Sequence, residues 1–358
     1  MYDLLIITHL PSFYKINLYN ELAKHLKIFV IFAGSKSKIR TPDFIGTQLN
    51  FTYTVLHNGD FESRPPLITI VKLSKLIITT KYKIMAVGGW DLLEFWIAIL
   101  LSKKKSNAVI MESTANDRPL SYLKKLLKLF FVSRLSISFP SGKLHLQYLQ
   151  SHKFTGVAFI TKGVGIFNRN GGWKPPVINP TKFLYVGRLS SEKNLLLLLE
   201  AFSDLPDLTL SIVGSGPMEL QLKSIAPLNV TFISHVPNNA VGQIYCNHDI
   251  FILPSLSEPW GLVVDEALHY GLPVIASKNV GSHTELIEDG INGLLFDPLN
   301  LKDLKSKIEL LSQNSKYQEM IQNIRKIDFS RRDKEQIHAY ILAIIHKSNK
   351  INKSTQTI

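Results

Sequence analysis

The apolar positions of this chain form short runs that alternate with amphipathic stretches. In the first half, runs of strand length begin at Tyr2–Thr8 and recur as far as residues 157–163. Apolar residues at helical spacing lie between most of these runs, for example over residues 16–26 and 122–131. Strands that alternate with helices predict a parallel sheet with right-handed crossovers.

The same rhythm restarts after residues 168–180, which read NRNGGWKPPVINP. Gly, Pro and Asn at this density are typical of a linker. The pattern predicts an N-terminal domain over residues 1–167 and a C-terminal domain over residues 181–330. Each is expected to be a doubly wound, Rossmann-like α/β domain, with a ligand cleft between the two. For residues 331–358, the pattern predicts a C-terminal helix that packs back toward the N-terminal domain and frays at its end.

Length and composition fit two globular domains. The chain has 358 residues, of which 45% are hydrophobic and 19% charged, and these fractions exclude a disordered protein. The single cysteine, Cys246, excludes an internal disulfide and a cysteine-based zinc site. Residues 1–8 do not resemble a secretory signal, and no apolar run approaches the ~20 residues of a membrane span. We therefore expect a cytoplasmic protein that is either soluble or peripheral.

Charge is distributed unevenly along the chain. Residues 1–175 hold 24 of the 41 basic side chains and 9 of the 28 acidic ones. A basic half predicts an anionic partner, either a lipid surface or a nucleic acid. The segment SYLKKLLKLFF predicts either a core helix with a solvated basic face or a patch that lies on anionic lipid. Its apolar and basic positions are Leu123, Leu126, Leu127, Phe130 and Phe131, with Lys124, Lys125 and Lys128.

The most informative segment reads PSLSEPWGLVVDEALHYGLPVI and places Glu258 and Glu266 on either side of an apolar turn. A buried-strand pattern precedes it, and a helical pattern follows. A carboxylate accepts charge-assisted hydrogen bonds from two neighbouring hydroxyls. The segment therefore predicts recognition of a sugar or a ribose.

This segment resembles the donor-site signature of glycosyltransferase family 4, because Glu-Pro-aromatic-Gly, the second glutamate and Gly-Leu-Pro-Val all match in register. The resemblance implies the GT-B fold and a retaining enzyme. It also implies that Glu258 contacts hydroxyls of the transferred sugar and that Glu266 binds ribose. Backbone around Trp260, Gly261 and Leu262 is then expected to approach the sugar and phosphate.

Two further elements of the second domain bear on phosphate binding. In FLYVGRLSSEKNLLLLLEAF, Gly187, Arg188 and Lys193 lie between a strand and a helix start, which suits a diphosphate but also fits a loop with two solvated cations. Similarly, Gly214 and Gly216 predict either a nucleotide contact or a tight strand-to-helix turn. The family resemblance favours donor binding at both elements.

Predictions for other polar residues depend less on the signature. Glu112 follows an apolar run, where many relatives carry a histidine over the reacting sugar, and it is predicted either to replace that histidine or to bind Arg118. Asp91 and Glu94 are predicted to form a helix capping box. His235 is expected to be a local hydrogen-bonding residue.

Together these observations predict a hexosyltransferase-type enzyme whose donor is a nucleoside-diphosphate sugar. The expected acceptor is a polyprenyl-diphosphate-linked or lipid-core glycan, in bacterial O-antigen or capsule assembly at the inner face of the plasma membrane. Its expected catalytic residues are Glu258, Arg188, Lys193 and Glu112. No cofactor or essential metal is expected, because the sequence has no Asp-x-Asp triplet and no metal-ligand spacing.

Two alternatives stay open at this point. A sugar-nucleotide epimerase on the same fold would use the same donor site without an acceptor. A basic nucleic-acid-binding protein would use the charge of the first half, although no nucleic-acid-binding motif is visible.

Overall fold

The structure is a computed structural model that describes the chain except residues 47, 116–121, 168, 170–172, 174, 235, 239 and 356–358. The chain divides into two compact units. Unit 1 comprises Met1–Asn168 and Ser330–Ile358, and unit 2 comprises Arg169–Phe329. Among the described residues, no helix is long and apolar enough to cross a membrane.

The described part of unit 1 forms a seven-stranded parallel sheet in the order β3-β2-β1-β4-β5-β6-β7. The strands are β1 Tyr2–Thr8, β2 Ile28–Lys36, β3 Thr52–Asp60, β4 Tyr82–Val87, β5 Asn107–Met111, β6 Ile137–Pro140 and β7 Val157–Ala158. The helices are α1 Phe13–Ala23, α2 Pro66–Thr79, α3 Leu93–Leu101, α4 Tyr122–Ser133 and α5 Lys143–Ser151.

Both faces of this sheet are covered, which explains why its central strands are mostly apolar. Successive side chains of a strand point to opposite faces. Leu5 and Ile7 of β1 pack in one cluster with residues of α2, α3, α4 and α5. Leu4 and Ile6 pack in a second cluster with residues of α1 and of the C-terminal helix.

The described part of unit 2 forms a six-stranded parallel sheet in the order β10-β9-β8-β11-β12-β13. The strands are β8 Lys182–Val186, β9 Thr209–Val213, β10 Val230–Ile233, β11 Ile250–Leu253, β12 Val274–Ser277 and β13 Gly293–Phe296. The helices are α6 Leu195–Ser203, α7 Glu219–Ile225, α8 Val241–Cys246, α9 Leu262–His269, α10 His283–Leu286, α11 Leu301–Ser312 and α12 Asn314–Ile324. The C-terminal helix, α13 Phe329–Thr355, belongs to unit 1 from Ser330 on. The predicted pair of doubly wound α/β sheets is confirmed.

In unit 2, the loops after β8 and β9 touch backbone to backbone. The amide of Leu189 donates to the carbonyl oxygen of Ser215 over 2.9 Å. A Cβ on Gly214 would lie 2.0 Å from the carbonyl oxygen of Gly187, and one on Gly216 would lie 2.3 Å from that of Leu189. Gly214 also has a φ of +137°, which residues other than glycine rarely adopt. Backbone packing therefore requires these glycines, and a role in nucleotide binding stays a prediction.

Substituting Gly214 by alanine is expected to destabilise unit 2 by roughly 3 kcal/mol or more, because it combines a positive φ with a steric clash. Gly290 is the matched control, since its φ is +80° but an added Cβ would meet nothing within 4 Å. Gly290→Ala should cost only about 1–2 kcal/mol. Urea denaturation of both variants would measure the difference, and equal losses would contradict the packing role of Gly214.

Candidate functional site

The residues predicted to bind the donor follow neighbouring strands of unit 2. Arg188 and Lys193 follow β8, and Glu258 follows β11. β8 and β11 are adjacent, and the strand order reverses between them. Open parallel sheets bind ligands at such a switch point, beyond the carboxyl ends of the strands.

Lys193 and Glu258 form an ion pair at this switch point. The Lys193 Nζ lies 2.5 Å from the Glu258 Oε2, and each side chain is only 14% exposed. Asn194, in the left-handed conformation (φ 57°, ψ 34°), turns the chain from Lys193 into α6. The Leu256 amide donates to the Glu192 carbonyl oxygen over 2.8 Å, which ties the two loops together. The structure thus brings together two predicted catalytic residues from different strands.

Arg188 lies beside this pair in sequence, but its side chain is exposed. Its backbone is held by the Tyr185 hydroxyl, which donates to the Arg188 carbonyl oxygen over 2.9 Å. Burial raises the pKa of Tyr185 well above its usual value, and the negative charge of Glu258 adds to the effect. Tyr185 is therefore a protonated donor that holds the backbone at Arg188.

The backbone conformation at Gly261 explains why the signature has a glycine at this position. Gly261 precedes α9 with a φ of +87°, and an added Cβ would lie 3.1 Å from the side chains of both Leu253 and Val280. Only 4% of the surface of Trp260 is exposed. The Trp260 side chain is therefore buried, and contact of a ligand with the backbone at Trp260, Gly261 and Leu262 stays a prediction.

Glu266 lies on α9 and is held separately from the Lys193–Glu258 pair. The Tyr245 hydroxyl donates to the Glu266 Oε2 over 2.8 Å, and the Tyr245 ring stacks on that of Tyr270. Burial raises the pKa of Glu266 to about 7; the Tyr245 hydrogen bond opposes this shift, whereas the Asp265 charge adds to it. Glu266 can therefore exchange a proton near neutral pH.

In unit 1, Glu112 is paired with a lysine. The Lys15 Nζ lies 2.9 Å from the Glu112 Oε1, and Arg118, the predicted partner, lies outside the described residues, as does His235. Burial works to lower the pKa of Lys15, but the Glu112 carboxylate and neighbouring tyrosines outweigh it and raise the pKa. The described partner of Glu112 is thus Lys15, and the catalytic role of Glu112 stays a prediction.

The predicted capping box of Asp91 and Glu94 is wrong. Residue Leu92 precedes α3, and no side chain caps that helix end. Glu94 is instead fully buried and accepts hydrogen bonds from Arg64 over 2.8 Å and 3.2 Å. A guanidinium bonded to both carboxylate oxygens is a stronger partner than a backbone amide, which explains the difference.

His9 and Asp91 form a contact at the strand ends of unit 1 that the sequence pattern did not predict. The His9 Nε2 lies 2.7 Å from the Asp91 Oδ2. Both residues follow apolar strands, β1 and β4. Their position directly after these strands was the sequence signal that could have identified them. The adjacency of β1 and β4 could not be read from the pattern. Among the described residues, no group of three or more His, Cys, Asp or Glu side chains could hold a metal ion.

The match to a known protein family lies in unit 2. Residues 174–327 match the family model of "Glycosyl transferases group 1". A sulfoquinovosyl transferase of Arabidopsis thaliana is 32% identical over 155 residues, which are 42% of this chain and 29% of that protein. A GDP-mannose-dependent alpha-mannosyltransferase of Corynebacterium glutamicum is 32% identical over 137 residues, which are 38% of this chain and 32% of that protein. The alignments thus span about a third of these relatives.

A solved structure extends the likeness to the whole chain. HepE of Anabaena, in complex with UDP and glucose, superposes with a TM-score of 0.70 over 100% of both chains, at 16% sequence identity. At this identity the likeness concerns the fold alone. The GT-B fold predicted from the sequence is thereby confirmed.

Proposed function

We propose that this protein is a retaining glycosyltransferase of family 4 that takes a hexose or similar sugar from a nucleoside-diphosphate sugar. The observation that carries the proposal is the Lys193–Glu258 pair at the switch point of unit 2, inside the segment that matches the glycosyltransferase model. The UDP-bound structure of the HepE fold relative supports a nucleotide-sugar donor.

In the proposed reaction, the bond between the anomeric carbon and the diphosphate oxygen breaks, and its electron pair leaves with the diphosphate. Arg188 and Lys193 stabilise the charge that develops there. The acceptor hydroxyl attacks from the same face, and its proton passes to the leaving phosphate. Glu258 orients the transferred sugar, and Glu266 holds the ribose. The mechanism assigns charge stabilisation to side chains, so it includes no metal or cofactor.

Replacing Arg188 or Lys193 by alanine should slow donor turnover by about 10²–10³-fold, the usual effect of removing one transition-state stabiliser. Release of nucleoside diphosphate from UDP-, GDP- and dTDP-sugars measures it. Lys223→Ala is the control, because Lys223 forms a surface pair with Glu219 on α7. Turnover near the wild-type rate in both site variants would contradict the assignment to the diphosphate.

The ribose role of Glu266 predicts a pH dependence. Hydroxyl donors bind the carboxylate, and the pKa of Glu266 is about 7, so nucleotide affinity should fall as Glu266 gains its proton. Between pH 8 and pH 6 the loss due to this residue should be about tenfold. Calorimetry with the nucleoside diphosphate that the wild-type protein binds measures the effect.

Glu266→Gln should remove this part of the pH dependence, whereas Glu258→Gln should retain it and mainly lower kcat. Ionisation of the nucleotide phosphate affects all three proteins equally, so the comparison isolates Glu266. The same pH profile in wild type and Glu266→Gln would refute the ribose assignment.

We further propose that unit 1 lies on an anionic membrane surface, where a lipid-linked glycan acceptor for cell-surface assembly would be found. Only Phe131 and Val132 of α4 are buried, which argues against the core-helix alternative. Five other apolar side chains of α4 are between 44% and 78% exposed: Tyr122, Leu123, Leu126, Leu127 and Phe130. Exposed apolar residues also lie on α2 and α3, in the same helix layer: Leu67, Ile68, Val71, Ile78, Leu93, Leu100 and Leu101.

One lysine of α4 has a different role from the one expected. Lys128 lies 4.0 Å from the centroid of the Trp90 ring and donates to the Tyr148 hydroxyl over 3.0 Å. Its charge is thus directed into unit 1. Lys124 and Lys125, which are exposed, are the better candidates for contact with lipid.

The protein should therefore pellet with vesicles of phosphatidylcholine and phosphatidylglycerol at low salt and dissociate at high salt. Each lysine near such a surface contributes roughly 1 kcal/mol, so Lys124→Glu with Lys125→Glu should weaken binding by well over tenfold. Lys302→Glu with Lys326→Glu makes the same charge change at exposed positions of unit 2 and should weaken it less. Wild-type protein that stays in solution at low salt would refute the membrane proposal.

A further inference from the structure

Unit 1 has a polar pair at its own switch point, and the mechanism above does not use it. β1 and β4 are adjacent and parallel, and the strand order reverses between them. His9 follows β1 and Asp91 follows β4, so the pair lies at the carboxyl ends of these strands. This is the position at which an open α/β sheet binds its ligand.

The local backbone is adapted to form the pair. Gly89 has a φ of +143°, and a Cβ at this position would lie 2.9 Å from the Asp91 Oδ1. Glycine at position 89 thus suits a left-handed backbone with little space beside the Asp91 carboxylate. The His9 ring packs edge-on against Phe95, with centroids 5.1 Å apart, and beside Phe61 at 5.7 Å. The imidazole is thus held in one orientation.

The charge state of Asp91 is also defined. Burial works to raise the pKa of Asp91, but the hydrogen bond and charge of His9 outweigh it, and Lys15 adds to their effect, so the pKa is lowered. Asp91 is therefore a carboxylate. The carboxylate can only accept, so the His9 Nε2 is the donor of this hydrogen bond, and Nδ1 is the ring nitrogen that can bond a hydroxyl, which both donates and accepts.

The pair is accessible to a ligand. The side chain of Asp91 is 58% exposed and that of His9 is 28% exposed. A carboxylate bonded through one oxygen retains further acceptor positions. A carboxylate oxygen and a ring nitrogen in one contacting pair suit the hydroxyls of a sugar, whereas the carboxylate disfavours an anion and the polar surface disfavours an apolar ligand.

We propose that His9 and Asp91 form a subsite that binds two neighbouring hydroxyls of a glycan. The identification of this glycan as the acceptor rests on the proposed function, whereas the binding itself does not. A purely structural pair, which would only tie the loops after β1 and β4 together, would give no response to a sugar.

The test is a titration of the full-length protein, labelled with ¹³C-histidine, with neutral sugars at fixed pH. The probes are the methyl glycosides of glucose, galactose, mannose and N-acetylglucosamine. The His9 signal is identified by its loss in His9→Gln. It should shift saturably with at least one probe, while the signal of His25, an exposed histidine of the same unit, should not move.

Asp91→Ala should raise the Kd for that probe about tenfold or more, the usual effect of losing a charged hydrogen-bond partner. Asp91→Asn, which keeps an acceptor for the His9 Nε2, guards against a folding defect and should raise the Kd less. A His9 signal that responds to none of the four probes, or an unchanged Kd in Asp91→Ala, would overturn the proposal.

Failure of this inference can be distinguished from failure of the proposed function. Calorimetry with UDP, GDP and dTDP reports on unit 2 alone. If a nucleotide binds and His9 stays silent, only the subsite is wrong. If the glycosides shift His9 and no nucleotide binds, the glycan site stands and the transferase proposal is wrong.

Discussion

The parallel arrangement of both sheets determines where this protein can carry polar chemistry. Parallel strands need crossover connections that cover both faces of the sheet, so central strands such as β1 and β11 are buried and apolar. Polar side chains that follow the strands gather at the edge where the carboxyl ends meet. At the switch point of each sheet the connections leave toward opposite faces, and there the structure has Lys193 with Glu258 in unit 2 and His9 with Asp91 in unit 1.

The two pairs differ in burial, and this difference suits different ligands. Lys193 and Glu258 are largely removed from water, so each charge compensates the lost hydration of the other. A diphosphate carries more negative charge than a carboxylate and would compete with Glu258 for Lys193. Glu258 would then accept hydrogen bonds from neutral hydroxyls of the sugar. The more exposed His9–Asp91 pair needs no such exchange of partners to receive a hydroxyl.

The sequence alone was sufficient to predict the fold class and the order in which the candidate donor-site residues follow their strands. Alternating patterns predicted the parallel sheets, and Arg188, Lys193 and Glu258 each follow a strand that the pattern shows. Contacts between distant segments were not predictable. His9 and Asp91 are 82 residues apart, and their contact depends on strand order, which a hydrophobic pattern does not contain. The predicted capping box was wrong for a similar reason. Arg64 is distant from Glu94 in sequence, and it binds the Glu94 carboxylate more strongly than a local backbone amide does.

The surfaces of unit 1 are arranged so that a lipid contact and a glycan contact are compatible. The exposed apolar residues belong to α2, α3 and α4, which share one layer against one face of the sheet. The His9–Asp91 pair lies instead at the edge formed by the carboxyl ends of the strands. A membrane against the helix layer therefore does not need to cover this edge. A glycan attached to a lipid in that membrane would have to extend only from the helix layer to the adjoining strand ends, within one rigid sheet-and-helix unit.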